Sequence, residues 1–298
     1  MGTPAPGSTR RLVATAQLPG RGGALPDRLA EAEDVVARAA ARGADLIVLP
    51  EGYVPGYQLR EVDEVPLVEG RRWLGEAARR HRVHIALGVM SPSGSLLELA
   101  GPEGGRWSYR KRFPTFREAR YWGPGEQVVI AETSIGRVGL VLCADLMQGA
   151  TWRPLIGRVD LIAMAAAWPH YSAPPDHLPA VVRQALGPVF IASNPYREQL
   201  MPQVARAVGA PLVFSNATGP FLGRDHFAGG AAIFDADGRE LARAEGDRAL
   251  VLAEVTGATP PGAPLKHPVG WRTFNALHRW AAAGRFRYGR RGGSGEGR

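Results

Sequence analysis

Three stretches of this 298-residue chain carry an unbroken apolar run: residues 45–50 read DLIVLP, 84–89 HIALGV and 137–142 RVGLVL. A strand with one wet face alternates apolar and polar residues. These runs keep no side for water, so each reads as a strand covered on both faces. Covering both faces takes a second layer on each side, and helices supply it wherever strand and helix alternate. That requirement points to an α/β chain. Two of the runs also end on a residue able to do chemistry: the first delivers Glu51 and the third delivers Cys143.

The segments between them support the same class. Residues 10–18 form a first strand. Residues 27–42 place Leu29, Ala32, Val36, Ala39 and Ala40 on one helical face, and Gly43 stands where that helix ends. A second helix is expected over 71–82. Strands 96–99 and 107–110 pair around the glycine-rich turn at 101–105, and another strand covers 161–165. The DADG turn at 235–238 joins 230–234 to 240–244 as a hairpin, and 250–255 is the last strand. A C-terminal helix is expected over 271–283. No linker divides 10–256, which reads as one domain. Residues 1–9 and 285–298 are expected to be disordered, with 257–284 as a C-terminal extension. Two phrases look alike, GPVFIASN at 187–194 and GAPLVFSN at 209–216; a small duplication and a coincidence both fit.

Composition excludes several classes. A single cysteine allows no internal disulfide, which suits a reducing compartment, and it cannot build a cysteine-rich zinc site. No cluster of His, Cys and carboxylate has ligand spacing, so no metal is expected. Phosphate-loop and dinucleotide fingerprints are missing, so no cofactor is expected. No apolar run reaches the roughly 18–20 residues that span a bilayer, and MGTPAPGSTRR has no signal-like core. The expectation is a cytoplasmic protein with no membrane contact. Five of the eight net positive charges fall in the last twenty residues, six arginines against Glu296. The body is therefore not a nucleic-acid platform. Of the 36 basic residues only Lys111 and Lys266 are lysine. Lysine is a compact point charge where arginine is a broad fork, so a lysine among arginines either marks a place that needs the smaller cation or is a chance survivor of a compositional bias.

Each candidate has an ordinary reading beside the chemical one. Cys143 at a strand end is placed where open α/β sheets build sites, yet a free cysteine also packs as a small hydrophobe. If a helix follows it, the Ala144 N–H points at the target of the thiolate. Glu51 closes a buried strand in the aromatic-rich turn PEGYVPGY, where a carboxylate is costly unless paired or used. Lys111, in YRKRFPT, either stabilises an oxyanion or sits in solvent beside Arg110 and Arg112. A papain-type pair would need a histidine, and His170, His177 and His226 lack a supporting signature.

Together these residues resemble the carbon–nitrogen hydrolase, or nitrilase, superfamily, over about residues 10–256. The landmarks come in order: VATAQL, LIVLPEGYVPGY, YRKRFPT, VGLVLCADL, AAAWP at 165–169 and AGGAAIFDADG at 228–238. The resemblance implies a single-domain four-layer αββα sandwich and a homodimer or higher homo-oligomer, with the C-terminal extension as a subunit contact. It also implies a Glu-Lys-Cys triad of Glu51, Lys111 and Cys143, supported by Glu118 and the Ala144 N–H. Tyr57, Tyr121, Trp122 and Trp168 are candidates for the pocket wall, or else ordinary aromatic core. The implied activity is hydrolysis of a small-molecule amide or N-carbamoyl compound through a thioester, with no cofactor. The Lys, Pro-Thr and Glu118 spacing is that of the nitrilase branch, which takes nitriles, whereas Asp145 resembles the amidase and carbamoyl-hydrolase branches. An acyltransferase and a non-catalytic binding relative share the same outline. The sequence departs from the family at Ala144, at Met147-Gln148-Gly149, and at RAVGA in 206–210.

Overall fold

The computed structural model describes residues 10–115, 117–173, 180–222 and 225–257, with Ala276. The elements follow in chain order. They are β1 (Arg10–Pro19), α1 (Leu25–Ala41), β2 (Leu46–Val48), α2 (Val65–His81), β3 (His84–Ser91), β4 (Gly94–Ala100), β5 (Arg106–Arg110), β6 (Ile130–Thr133) and β7 (Gly136–Leu142). Then come a short α3 (Gly149–Trp152), β8 (Leu161–Ala166), β9 (Pro169–His170), α4 (Ala180–Val208), β10 (Leu212–Thr218), β11 (His226–Phe227), β12 (Ala232–Phe234), β13 (Glu240–Arg243) and β14 (Ala249–Thr256). The expected N-terminal segment 1–9, the helix over 271–283 and the tail 285–298 lie outside the described residues, Ala276 excepted.

Apart from the antiparallel pair β9 and β11, the strands form two mixed sheets. The first runs β5-β4-β3-β2-β1, with β14 antiparallel to β1; the second runs β6-β7-β8-β10, with β12 and β13 beyond β10. They touch edge to edge only where Leu18 and Pro19 pair with Ala217 and Thr218. The strands that carry the expected site residues lie inside their sheets: β2 is parallel to both β1 and β3, and β7 is parallel to β8.

The unbroken apolar runs are explained by what covers them. On β2, Leu46 and Val48 face the second sheet, while Ile47 faces α1 and α2 with Val36, Leu74 and Ile85. On β7, Val138, Leu140 and Leu142 face the first sheet, and Val141 packs with Leu200, Met201 and Val204 of α4. The strand period of two thus sends alternate side chains into two different apolar layers. The order is helices, sheet, sheet, helices: the four-layer αββα sandwich in one domain.

Boundaries moved at the helices. Both begin earlier than the apolar periodicity indicates, at Leu25 and Val65, each with a proline in its first turn, where the missing N–H costs nothing. The two similar phrases do not make a structural repeat. Residues 187–194 lie inside α4, whereas 212–216 lie in β10, registered between β8 and β12. Neighbouring strands decide the second conformation, and local propensity does not. No helix of the described residues is long and apolar enough to cross a membrane.

Leu140 is wholly buried between the sheets. Leu140→Ala is expected to lower unfolding stability by about 2–5 kcal/mol, read from urea denaturation. A loss under about 1 kcal/mol would mean that the two sheets do not meet there as described.

Candidate active site

The two sheets present their strand ends to one another, and the site is built there. Glu51 follows the β2 exit after Leu49 and Pro50, and its side chain is wholly buried. The turn that carries it lies directly on β3. A Cβ at Gly88 would stand 2.2 Å from the Pro50 carbonyl oxygen and 2.4 Å from the Glu51 Cα, so only glycine fits. Glu51 is tied to both sheets. Its Oε1 accepts from Ser95 Oγ of β4 at 2.8 Å, and its Oε2 accepts from the Ala167 N–H at 3.0 Å, just past β8.

Lys111 leaves β5. Its N–H donates to the Ser95 carbonyl at 3.0 Å and its own carbonyl accepts from Gly125 at 2.7 Å, so the backbone is held on both sides. The ammonium donates to Glu51 Oε1 and to Glu118 Oε1, both at 2.9 Å. Glu118 opens a single 3-10 turn, Glu118–Arg120. Its Oε2 accepts from the Thr115 N–H at 2.7 Å, and its Oε1 also accepts from the Tyr57 hydroxyl at 2.8 Å. Burial would drive Lys111 towards neutrality, but Glu118 and Glu51 outweigh it and hold the ammonium well above the ordinary lysine range. Burial also opposes ionisation of Glu118; Lys111, the Thr115 N–H and Tyr57 overcome it and lower the carboxyl.

Cys143 stands at the β7 exit, 5% exposed, with φ of 44°. The left-handed region costs a residue with a Cβ about 1–2 kcal/mol. The chain turns there at once into a short helix of the 3-10 kind, Cys143–Met147. Ala144 is buried at the start of that turn. Burial pushes the thiol up, Lys111 pulls it down, and Glu51 and Glu118 push it up again; the result lies well above the ordinary thiol range. The sulfur therefore holds its proton at neutral pH, and the Glu51 carboxylate is among the groups that favour its protonated form.

Of the aromatic candidates, three are buried and one is not. Tyr57 and Trp122 belong to an apolar cluster with Met90, Ala167, Phe221 and Phe227. The Tyr57 ring meets Phe227 edge-on at 5.7 Å. Trp168 packs in the same cluster of residues as Cys143, and its N–H donates to Asn216 Oδ1 at 2.9 Å. Tyr121 is 45% exposed, and its ring meets that of Trp122 at 5.7 Å from the outer side of the cluster. A cavity of about 310 Å³ lies beside Tyr57, lined also by Arg21, Leu59, Arg60, Phe221 and Leu222.

Three partners went unnoticed in the sequence. Ser95 and the Ala167 N–H lie 44 and 116 positions from the glutamate they bind, and no local signal marks them. Tyr109 binds Asp145 at 2.6 Å across the sheets; its place two residues before a rare lysine was the only hint. Among the described residues, no group of three or more His, Cys, Asp or Glu side chains is placed to hold a metal ion.

A buried carboxylate, ammonium and thiol at facing strand ends of a four-layer α/β sandwich define a class before any comparison does. The sequence profile of the carbon-nitrogen hydrolase family matches residues 12–259, and the chain belongs to that family. It is similar to a nitrilase of Pyrococcus abyssi, with 30% identity over 155 residues, 47% of this chain and 59% of that protein. It is also similar to an arylacetone-specific nitrilase of Alcaligenes faecalis, at 29% over 163 residues, 47% of this chain and 46% of that one. A glutamine-dependent NAD(+) synthetase of Thermotoga maritima matches at 26% over 246 residues, 78% of this chain and 39% of its own length. The chain spans about half the length of the curated relatives it matches. In fold it is similar to the amidase from Nesterenkonia sp. AN1. A double mutant of that amidase in complex with acrylamide gives a TM-score of 0.68 at 20% identity, over 91% of this chain and 96% of the other.

The depressed Glu118 carboxyl sets a pH signature. Its contribution to stability is complete above 4.5, the ordinary carboxyl value, and is lost as pH falls through the lower folded value. Glu118→Gln is expected to cost about 3 kcal/mol at pH 7, the scale of breaking a buried pair. In urea denaturation the gap to the parent protein should narrow as pH is lowered below 4.5. A gap that stays constant with pH would contradict this account.

Proposed function

We propose that this chain is a cysteine-dependent hydrolase of non-peptide carbon–nitrogen bonds, of the amidase or N-carbamoyl hydrolase type. One observation carries the reading: a buried ammonium sits 2.9 Å from each of two buried carboxylates, beside a buried thiol on a left-handed turn. Such a cluster is costly to bury and has no packing role that apolar residues would not fill better.

The raised thiol decides the order of events. Cys143 holds its proton in the resting state, so attack needs a base at the moment of reaction, and Glu51 is that base. The sulfur bonds to the amide carbon as Glu51 takes the thiol proton. Lys111 and the Ala144 N–H stabilise the resulting oxyanion, and Glu118 keeps the ammonium charged and in place. Glu51 passes its proton to the departing nitrogen, the carbon–nitrogen bond breaks, and ammonia or an amine leaves a thioester behind. Glu51 then takes a proton from water, the hydroxyl adds to the thioester carbon, and the carbon–sulfur bond breaks. The acid is released and the proton returns to sulfur. In this reading Tyr57, Tyr121, Trp122 and Trp168 surround the substrate; of these four, Tyr57 lines the cavity of about 310 Å³. The same reading takes the chain as a homo-oligomer of the cytoplasm; its single cysteine supports the compartment.

A second reading, a nitrilase, is favoured by the similarity to nitrilases of Pyrococcus abyssi and Alcaligenes faecalis. There the first adduct is a thioimidate; one water releases ammonia to give the thioester, and a second gives the acid. Ammonia release from a panel of short amides, N-carbamoyl amino acids and nitriles separates the two by which members turn over. In either case Cys143→Ala should lower turnover at least about 10⁴-fold with the fold retained. Lys111→Arg should lower kcat about 10²- to 10³-fold, because the fork cannot occupy a cradle made for an ammonium. Full activity of the Cys143→Ala protein would overturn the mechanism.

A further inference from the structure

The nucleophile and the lysine arrive from different sheets, Cys143 from β7 and Lys111 from β5, so something must set the distance between them. Asp145 lies two residues past Cys143 within the 3-10 turn and is wholly buried. Among the described residues its carboxylate takes no hydrogen bond from its own sheet. Oδ2 accepts from the Tyr109 hydroxyl at 2.6 Å and from the Arg112 N–H at 3.0 Å, and Oδ1 accepts from the Phe113 N–H at 2.7 Å. Those donors bracket Lys111: one lies two residues before it, the others one and two residues after. The far end of the same turn is held too, because the Gln148 N–H donates to the Asp145 carbonyl at 3.0 Å. Burial pushes the Asp145 carboxyl up to about 6, against the pull of Tyr109, Lys111 and the two N–H groups. The chain thus keeps a carboxylate where burial opposes it, and all three of its donors belong to the lysine-bearing segment.

We propose that Asp145 is the positioning residue that sets Lys111 against Cys143, by clamping the chain on both flanks of the lysine to the turn that carries the nucleophile. This rests on the roles given above to Lys111 and Cys143. The length of the side chain is part of the device. The three bonds are of ordinary length with a one-methylene arm, and a glutamate would drive the lysine segment outward by more than a bond length.

The test reads the thiol directly and needs no turnover. The charged and titratable groups facing Cys143 are Lys111, Glu51 and Glu118, with the Tyr57 and Tyr171 hydroxyls in electrostatic range. Only Lys111 favours the thiolate. Asp145→Asn removes a negative charge, which by itself moves the thiol titration to lower pH. Displacement of the ammonium moves it to higher pH. The two effects have opposite signs. In the full-length protein, the rate of Cys143 alkylation by iodoacetamide is followed against pH. For Asp145→Asn the midpoint should rise by about one pH unit. Tyr109→Phe removes one donor, keeps the ring and leaves Asp145 charged; it should shift the midpoint by a smaller amount in the same direction. Asp145→Asn introduced into a Lys111→Met background should add no further rise. With propionamide, or whichever panel compound turns over fastest, kcat should fall about 10²-fold with KM nearly unchanged, as for a catalytic group misplaced by about 1 Å. An unchanged or lowered midpoint in both Asp145→Asn and Tyr109→Phe overturns the proposal. If Asp145→Asn does not fold, Tyr109→Phe alone decides. A raised midpoint without turnover of any panel compound keeps the positioning role and counts against the hydrolase reading.

Discussion

The ammonium of Lys111, held at 2.9 Å from both Glu51 and Glu118, is the interaction on which the rest of the site depends. Two carboxylates and one cation leave a net negative charge in a buried space. Burial raises the Cys143 thiol well above its ordinary range, and Glu51 and Glu118 add to that rise against the pull of Lys111. The cation helps Glu118 to ionise, and Glu118 and Glu51 keep the cation charged. Removing the lysine would leave two buried carboxylates with no cation between them, so the charged members depend on one another for stability.

Such a cluster needs a place where strand ends from two sheets converge and water is excluded. The four-layer arrangement supplies it. Glu51 hangs from the first sheet, but its carboxylate is read by an N–H of the second, that of Ala167. Lys111 leaves the edge strand of the first sheet, and Cys143 leaves an inner strand of the second. The interior of the sandwich, with Val48, Leu97, Leu140 and Leu142, is thus the rigid spacer that fixes how the halves of the site meet. Its close packing sets the geometry of the cluster, because a shift of one sheet on the other would separate Glu51, Lys111 and Cys143 together.

Much of this was legible in the sequence, for a definite physical reason. Unbroken apolar runs can only be strands covered twice, so β2, β3 and β7 were visible, and with them the positions of Glu51 and Cys143 at their ends. The lysine stood out because nearly every other cation is arginine. What stayed hidden is what depends on distance along the chain. Ser95 and the Ala167 N–H bind Glu51 from 44 and 116 positions away, and Tyr109 meets Asp145 from 36 away. No pattern within a window encodes such pairs. The left-handed backbone of Cys143 was hidden too, because the residue that usually announces it, glycine, is excluded by the need for a sulfur. The exposure of Tyr121 escaped for a simpler reason: an aromatic residue beside a motif looks the same whether its ring turns inward or out.

The scarcity of lysine has a consequence for how the molecule can be observed. Guanidinium groups stay protonated and do not acylate readily, so the arginine-rich surface is nearly silent to amine-directed reagents. The chain offers two ε-amines in all, and that of Lys111 is 2% exposed behind two carboxylates. A reagent reaches it only when the strand ends part. Slow acylation at this one nitrogen therefore acts as a clock for local opening, timing how often the two halves of the sandwich separate at their shared edge.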